Sequence, residues 1–379
     1  MKIAFVYDAV YPWVKGGAEK RIFEIGKRCA KRGNEVHVFG IKWWQGPSVI
    51  RYENMMLHGV CSPMELYVNG RRDISEALIF SLKLLPHLIM EKFDVIDVSA
   101  FPYFPCFSAK LVSFARRTPM TVTWHEVWGE YWYEYLGPGG FFGKLVENMV
   151  AKLAARPIAV SALTGKGLES LGVRGRKIHI VPNGIDLKRI KEIMPSPDKC
   201  DLIFVGRLIR EKNVDLMLEA VDHLRITLPH VQCHVIGGGP EKERLTGLAA
   251  KLGLLDNVKF FGFMEYDELI ARIKSSGVLA LPSSREGFGM AVLEAFACGV
   301  PVVTVKGEKN AASSLVDDGT GFVVDLDARE ISEAVARLIK DPMLHERMAA
   351  SAMARVQEYD WDRIVERLTC IYDDLLQYH

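Results

Sequence analysis

The chain has 379 residues, 49% hydrophobic and 25% charged, with 48 lysines and arginines against 47 aspartates and glutamates. That length suits two domains with separate cores, and the composition excludes a disordered, collagenous or disulfide-stapled chain. A net charge of +1 argues against nucleic acid as a partner. Residues 1–186 nevertheless carry 24 basic and 17 acidic side chains, and residues 187–379 carry 24 and 30. The basic first half is the side expected to meet an anionic partner.

In chain order, Met1-Lys2 runs straight into Ile3-Ala4-Phe5-Val6-Tyr7, which reads as a buried strand and not as a secretory leader. β-branched runs predict strands at 2–7, 35–40, 94–98, 119–123, 157–160 and 178–181. Between the first two lies a helix over 17–32, with Ala18, Ile22, Ile25 and Cys29 recurring at spacings of 4, 3 and 4. The apolar window from Ile74 to Met90 is interrupted by Glu76, Lys83, Pro86 and His87 and does not suit a membrane span. A turn-rich break runs from Val181-Pro182-Asn183-Gly184 to Pro195-Ser196-Pro197. The rhythm then restarts, with strands predicted at 201–206, 231–236, 258–261, 277–282, 300–305 and 321–324. Helices alternate with them at 213–228, 241–252, 265–275 and 288–298, and three more follow at 328–340, 342–358 and 361–376. Strands apolar on both faces, separated by helices, imply covered parallel sheets. The expected fold class is therefore α/β, with two doubly wound Rossmann-like domains facing across a cleft, divided as 1–186 and 187–359.

Seven cysteines are scattered with no C-x-x-C, which points to a reducing, cytoplasmic compartment and to neither a disulfide framework nor a zinc site. The ten histidines show no ligand spacing, so no metal is expected.

Three clusters carry chemistry. Glu286-Gly287-Phe288-Gly289-Met290-Ala291-Val292-Leu293-Glu294 follows a predicted strand and opens a helix. Its glycines permit a tight turn, and the first-turn N–H groups of Met290, Ala291 and Val292 suit a phosphate. Glu294, about one and a half turns on, is placed for a ribose diol, and Glu286 for sugar hydroxyls. Alone, such a turn reads more readily as a helix start with Glu286 near the cap and Glu294 on a solvated face. Gly206-Arg207-Leu208 with Lys212 ends another strand, and a fork-shaped guanidinium with a point-charge ammonium suits a diphosphate. Its plain alternative is an exposed basic turn balanced by Glu211. Lys15-Gly16-Gly17-Ala18-Glu19 lies between the first strand and its helix and matches neither G-x-G-x-x-G nor a Walker loop.

Together these pieces resemble the retaining, nucleotide-sugar-dependent glycosyltransferases of family four, which have the GT-B fold. The matching segments are GGAEK at 16–20, TWHE at 123–126, VPNGID at 181–186, GRL…K at 206–212, GGGP at 237–240, FFGFM at 260–264, EGFGMAVLEAFACGVPVV at 286–303 and DDGTGFVV at 317–324. The resemblance implies a diphosphate clamp of Arg207 and Lys212, a donor-sugar acid at Glu286, and a pocket lined by Gly287, Phe288 and Gly289. It implies a ribose acid at Glu294 and base recognition by the backbone around Phe263 and Met264. It puts Gly16 and Gly17 on the diphosphate and His125 at the transferred sugar, in a catalytic set of His125, Arg207, Lys212 and Glu286. It also implies that residues 360–379 return to the first domain. One departure stands out. Where the family often has Gly-Gly-x-x-Glu, this chain reads Glu308-Lys309-Asn310-Ala311-Ala312-Ser313-Ser314.

The implied reaction moves a hexose from a UDP- or GDP-sugar, with retention and without a metal, to a hydroxyl of a glycan, glycolipid precursor or phosphate-bearing acceptor. The nucleotide sugar is a co-substrate, and no separate cofactor is expected. An epimerase or hydrolase of the same fold, and a noncatalytic nucleotide-sugar-binding protein, are the alternatives. Asp325-Leu326-Asp327 and Asp360-Trp361-Asp362 look like metal-binding D-x-D elements but lie away from the phosphate motifs. Gly237-Gly238-Gly239-Pro240 reads as a turn near the nucleotide. The aromatic segment 124–142 is assigned to the acceptor side, with Trp128 and Trp132 contacting a sugar or lipid-linked acceptor, against core packing as the alternative. Peripheral contact with the inner face of a membrane is consistent with this. Oligomeric state is left open.

Overall fold

The computed structural model describes residues 1–68 and 71–377. The chain divides into two compact units, Met1–Gly184 with Trp361–His379, and Ile185–Asp360.

In the first unit the strand Lys2–Val6 pairs in parallel with Glu35–Gly40 on one side and Val95–Ser99 on the other. Beyond Val95–Ser99 lie Met120–Trp124, Ile158–Ala159 and His179–Ile180, all parallel. Beyond Glu35–Gly40 come Met55–Gly59 and the antiparallel edge strand Val49–Tyr52. Val95–Ser99 and Met120–Trp124 are buried at every position, as a sheet covered on both faces requires. The hairpin at 49–59 is an addition to the predicted strands. It turns on Glu53 and Asn54, both with positive φ (49° and 64°), in place of the Asn-Gly or Asp-Gly pair that signals such a turn in sequence.

Two elements close this unit. The helix Gly17–Lys31 buries Arg21, Ile25 and Cys29, while Ala18 and Ile22 are half-exposed. A buried guanidinium needs acceptors, and Arg21 donates to Pro182 O at 2.5 Å and Asn183 Oδ1 at 3.0 Å. The final helix, Trp361–Gln377, buries Trp361, Ile364, Val365, Leu368, Ile371, Tyr372 and Leu375, a stripe at spacings of three and four. These residues join Ile3, Phe5, Val38 and Val95 in one core cluster. Tyr372 donates to Asp97, which also accepts from Thr123 Oγ1 at 2.7 Å. Burial pushes the Asp97 carboxyl up, while those two hydrogen bonds and Arg21 pull it down.

In the second unit six parallel strands run in the spatial order Val258–Phe261, Cys233–Ile236, Cys200–Val205, Ser276–Leu281, Val302–Val305, Gly321–Val324. The chain winds outward from Cys200–Val205 to Val258–Phe261, then crosses back to start again at Ser276–Leu281. The direction of winding reverses between Cys200–Val205 and Ser276–Leu281, and ligands of open α/β sheets bind at such a switch point, beyond the carboxyl ends of the strands. Helices Val214–Thr227, Lys242–Lys251, Tyr266–Lys274, Met290–Ala297, Ala328–Lys340 and Pro342–Arg355 cover the sheet.

The Asn183-Gly184 turn is held from both sides. Asn183 is bonded by Arg21, and a Cβ on Gly184 would lie 2.5 Å from Cδ2 of the Trp361 ring. Trp361 is 1% exposed and has no room to retreat. Gly184→Ala should therefore cost about 1–3 kcal/mol of stability, read as a lowered urea midpoint. An unchanged midpoint would show that Trp361 repacks without strain.

Candidate functional site

The two loops at the switch point of the second unit hold the predicted charges. Arg207 is exposed on the loop after Cys200–Val205, and Lys212 lies in the short 3-10 turn Arg210–Lys212 behind it. Glu286 lies on the loop after Ser276–Leu281. Lys212 Nζ and Glu286 Oε1 form an ion pair, with the two side chains only 15% and 14% exposed. The loops are stitched together by backbone groups as well. Ser284 N donates to Glu211 O at 2.9 Å, and Asn213 Nδ2 donates to Pro282 O at 2.9 Å.

Glycines let neighbouring loops brace this pair. A Cβ on Gly237 (φ 138°) would lie 1.9 Å from Gly206 O, so the Gly237-Gly238-Gly239 turn fits directly against the Arg207 loop. Leu208 N bonds to Gly238 O at 2.9 Å in the same contact. That turn shapes the cationic loop. Gly289 (φ 106°) is the cap of the helix Met290–Ala297, and a Cβ there would lie 2.7 Å from Ala312 Cβ. Val292 N bonds back to Gly289 O at 3.1 Å, so the amides offered by this helix start are those of Met290 and Ala291. Phe288 is buried near the ring of Tyr359.

Glu294 is buried at 7% exposure, which removes the reading of a solvated helix face. Its negative charge helps raise the neighbouring Tyr266 hydroxyl, after burial as the larger cause. Phe263, at 69% exposure, and half-buried Met264 lie on the loop after Val258–Phe261, two strands from the switch point. The divergent segment 308–314 touches the site directly. Arg285-Glu286 and Lys309-Asn310 pair as a short parallel ladder, and buried Asn310 donates to Val305 O at 2.7 Å while accepting from Ala312 N at 3.1 Å. The sequence marks this segment as a departure from the family pattern but gives no sign that it fixes the Glu286 backbone. No two-residue ladder has a periodicity to read.

In the first unit, Gly16 caps the helix Gly17–Lys31 without a side-chain bond, and Glu19 folds over it. A Cβ on Gly17 would meet nothing within 4 Å, so no packing within the protein requires glycine there. His125 follows the strand Met120–Trp124. The residue is half-buried, and burial, helped by the Arg21 guanidinium, pushes its imidazole down to about 3. It is neutral at ordinary pH.

The aromatic segment behaves mainly as core. Trp124 and Trp132 are buried, Trp128 is half-buried with its ring 4.6 Å from that of Trp132, and a Cβ on Gly143 would lie 2.3 Å from the Trp132 ring. Buried Glu147 anchors the loop by accepting from Tyr103 Oη at 2.7 Å, Trp128 N at 2.7 Å and Gly129 N at 2.8 Å. Trp132 is thus a packing residue and not an exposed sugar platform. The more exposed aromatics of the segment are Tyr133, Phe141 and Phe142.

The acid pairs set aside in sequence have structural work. Asp325 pairs with Lys306 at 2.9 Å, Asp327 caps the helix Ala328–Lys340, and Asp362 pairs with Arg28 at 3.3 Å. The fold also assembles a group that spacing did not reveal. His37, His58 and Glu91 offer ligand atoms within 4.8 Å of one another. Lys2 Nζ already lies 2.6 Å from Glu91 and 2.8 Å from Glu35, so a protein cation balances the carboxylates there.

Family profiles cover the chain almost end to end. The profile for Glycosyltransferase Family 4 matches residues 15–189, and that for Glycosyl transferases group 1 matches residues 188–355. The chain belongs to these glycosyltransferases. Among curated relatives, a D-inositol 3-phosphate glycosyltransferase of Acidothermus cellulolyticus is 34% identical over 225 residues, 54% of this chain and 50% of the relative. A GDP-mannose-dependent monoacylated alpha-(1-6)-phosphatidylinositol monomannoside mannosyltransferase of Corynebacterium glutamicum is 31% identical over 212 residues, 50% of this chain and 55% of the relative. The chain thus spans about half the length of the curated relatives it matches. Among solved structures, Anabaena HepE in complex with UDP and glucose superposes with a TM-score of 0.76 at 21% identity, covering 98% of this chain and 99% of that one. Sucrose-phosphate synthase from Thermosynechococcus elongatus gives 0.80 at 20% identity over the whole of both chains. The fold is GT-B.

Two outcomes test this geometry. The first concerns the ion pair. In Glu286→Gln a cation loses its internal anion, so binding of UDP or GDP, measured by calorimetry, should tighten by roughly tenfold, about 1.4 kcal/mol. Weaker binding would show that Glu286 does not compete with phosphate for Lys212. The second concerns pH. His125 binds a proton in the unfolded chain below about 6.5 but in the folded chain only near 3, so its contribution to stability is lost as pH falls from 6.5 towards 3. His125→Asn should lose less stability than the parent between pH 7 and pH 4.5 in urea titrations. Equal losses would contradict the neutral imidazole.

Proposed function

We propose that this family member transfers a hexose from a nucleoside-diphosphate sugar to an acceptor hydroxyl, with the donor held by the second unit. The observation that carries this reading is the convergence at the switch point. Arg207 and the Lys212–Glu286 pair lie on the two loops there, the helix Met290–Ala297 follows the second loop, and buried Glu294 lies farther along that helix. In this reading the diphosphate lies against Arg207, Lys212 and the amides of Met290 and Ala291. Glu294 takes the ribose hydroxyls, and the backbone at Phe263 and Met264 takes the base. Glu286 orients the sugar beside Gly287, Phe288 and Gly289. His125 is assigned to the transferred sugar, and Gly16 and Gly17 to the diphosphate, on the resemblance alone.

When the bond from the anomeric carbon to the diphosphate breaks, its electron pair stays on the phosphate oxygen. Two cations and a helix start placed in advance stabilise that charge, which is why the reaction is expected to need no metal. The acceptor oxygen then bonds to the same face of the anomeric carbon, and its proton passes to the departing phosphate oxygen. Configuration is retained, and no side chain becomes glycosylated. The relatives' names point to an acceptor that is a phosphate-bearing polyol or a phosphoinositide-type lipid.

The test supplies UDP- and GDP-sugars with inositol phosphate or phosphatidylinositol and follows nucleoside diphosphate release. Turnover should persist in excess EDTA, fall roughly 10²–10³-fold in Arg207→Ala and in Lys212→Ala, and give a product of retained configuration by NMR. Loss in chelator with rescue by magnesium, an inverted product, or conversion of the donor without any acceptor would each contradict the proposal. Gly17→Leu should fold like the parent yet lose turnover, whereas full activity would remove Gly17 from the donor contacts.

A further inference from the structure

The first unit holds a histidine cluster that the transfer reading does not use. His37 (4% exposed) lies on the strand Glu35–Gly40, and His58 (9%) on the neighbouring strand Met55–Gly59. Glu91 follows the helix Ile74–Ile89. Lys2 and Glu35, which border the cluster, begin their strands. The group therefore sits towards the amino end of the sheet, away from the carboxyl ends where ligands of such folds bind. Among the described residues these three side chains bring ligand atoms within 4.8 Å of one another.

The local geometry favours a metal over an ordinary buried pair. The two imidazoles are nearly coplanar, 18° apart, with His37 Nδ1 and His58 Nε2 facing each other at 2.8 Å. Phe39 lies flat against His58 at 4.4 Å and Phe93 meets His37 edge-on at 5.2 Å, so both rings are held in apolar surroundings. His37 Nε2 lies 2.9 Å from Glu35 Oε1, and a carboxylate there keeps the ring proton on Nε2. Nδ1 then presents its lone pair towards His58. A carboxylate behind one ring nitrogen, with the other nitrogen left as donor, is how metal-ligating histidines are oriented. Glu91 Oε2, 3.8 Å from His37 Nε2, supplies the oxygen ligand.

Two imidazoles and a carboxylate suit zinc, with water in the fourth position. Zinc bonds of about 2.0–2.1 Å in a tetrahedron space the ligand atoms roughly 3.4 Å apart, so the imidazole pair opens by about 0.6 Å and Glu91 swings inward. The competitor is Lys2, whose Nζ lies 2.6 Å from Glu91 and 2.8 Å from Glu35. Its second partner lets it release Glu91 and keep Glu35.

We infer that His37, His58 and Glu91 form a zinc site that clips the hairpin at 49–59 and the segment after the helix Ile74–Ile89 to the strand Glu35–Gly40. The ion takes the place of the proton shared between the rings, which His58 then carries on Nδ1, and Glu35 steadies His37 from behind. The clip is structural. It lies within one unit and needs no donor, so it stands or falls apart from the transfer reading.

Calorimetry of the chelator-treated protein against zinc chloride should give one ion per chain. Zinc at about 100 times its Kd should raise Tm by roughly 5 °C, and magnesium should do neither. Glu91→Gln, at a partly exposed position, and His58→Gln should each weaken zinc binding by about tenfold or more, and the outer Glu35→Gln by about tenfold. Lys2→Gln removes the competing ammonium and should tighten binding by about tenfold. Cobalt in place of zinc should show the visible absorption of a tetrahedral site in the parent and lose it in His58→Gln. No stoichiometric binding, an affinity unchanged in folded Glu91→Gln, or weaker binding in Lys2→Gln would overturn the proposal. Stripped by EDTA, the protein should melt earlier yet keep its turnover well below that temperature. Turnover that needs zinc would overturn the structural role, whereas turnover that needs magnesium would contradict the transfer reading alone.

Discussion

A cation with 15% of its side chain exposed must have an anion beside it, and the second unit is organised around that requirement. Glu286 supplies the charge to Lys212 when no ligand does. The pair bridges the loops that follow Cys200–Val205 and Ser276–Leu281, the strands between which the winding of the sheet reverses. Other features of the site hold these loops at the right separation. Gly237 lets one turn press against Gly206, Gly289 lets another press against Ala312, and the Asn310 ladder fixes the backbone under Glu286. In the proposed function a diphosphate replaces the carboxylate on Lys212, which would leave Glu286 available for hydroxyl groups and would couple phosphate binding to sugar orientation.

The first unit is held by a different buried network. Arg21 ties the helix Gly17–Lys31 to the Pro182-Asn183 turn, and Asp97 ties the central sheet to Tyr372 of the last helix. The same Arg21 charge helps to keep His125 neutral. Packing and the electrostatics of His125 therefore share Arg21. A substitution at Arg21 disturbs the chain where it leaves the first unit, at Gly184, and the electrostatics of a candidate site residue together.

The alternation of apolar strands and amphipathic helices made the architecture legible, because strands covered on both faces leave a continuous β-branched signature. The hairpin at 49–59 was hidden because Glu53-Asn54 lacks the glycine that advertises such turns. Arg207, Lys212, Glu286 and Glu294 stood out because loop chemistry is local in sequence. What they do to one another was not legible, since the Lys212–Glu286 pair joins residues 74 positions apart. The aromatic run at 124–142 left two readings open for a related reason. Composition signals a large apolar surface, but only packing against Gly140 and Gly143 shows that Trp132 faces inward while Phe142 stays exposed.

The central claim is that the switch-point loops of the second unit hold the donor through a charge they otherwise balance internally. A crystal structure with bound UDP or GDP tests it most directly. The account predicts diphosphate oxygens within hydrogen-bonding distance of both Arg207 and Lys212, ribose hydroxyls on Glu294, and Glu286 turned away from Lys212 towards the sugar position. A nucleotide bound elsewhere, or bound here with the Lys212–Glu286 pair intact and Glu294 untouched, would contradict it.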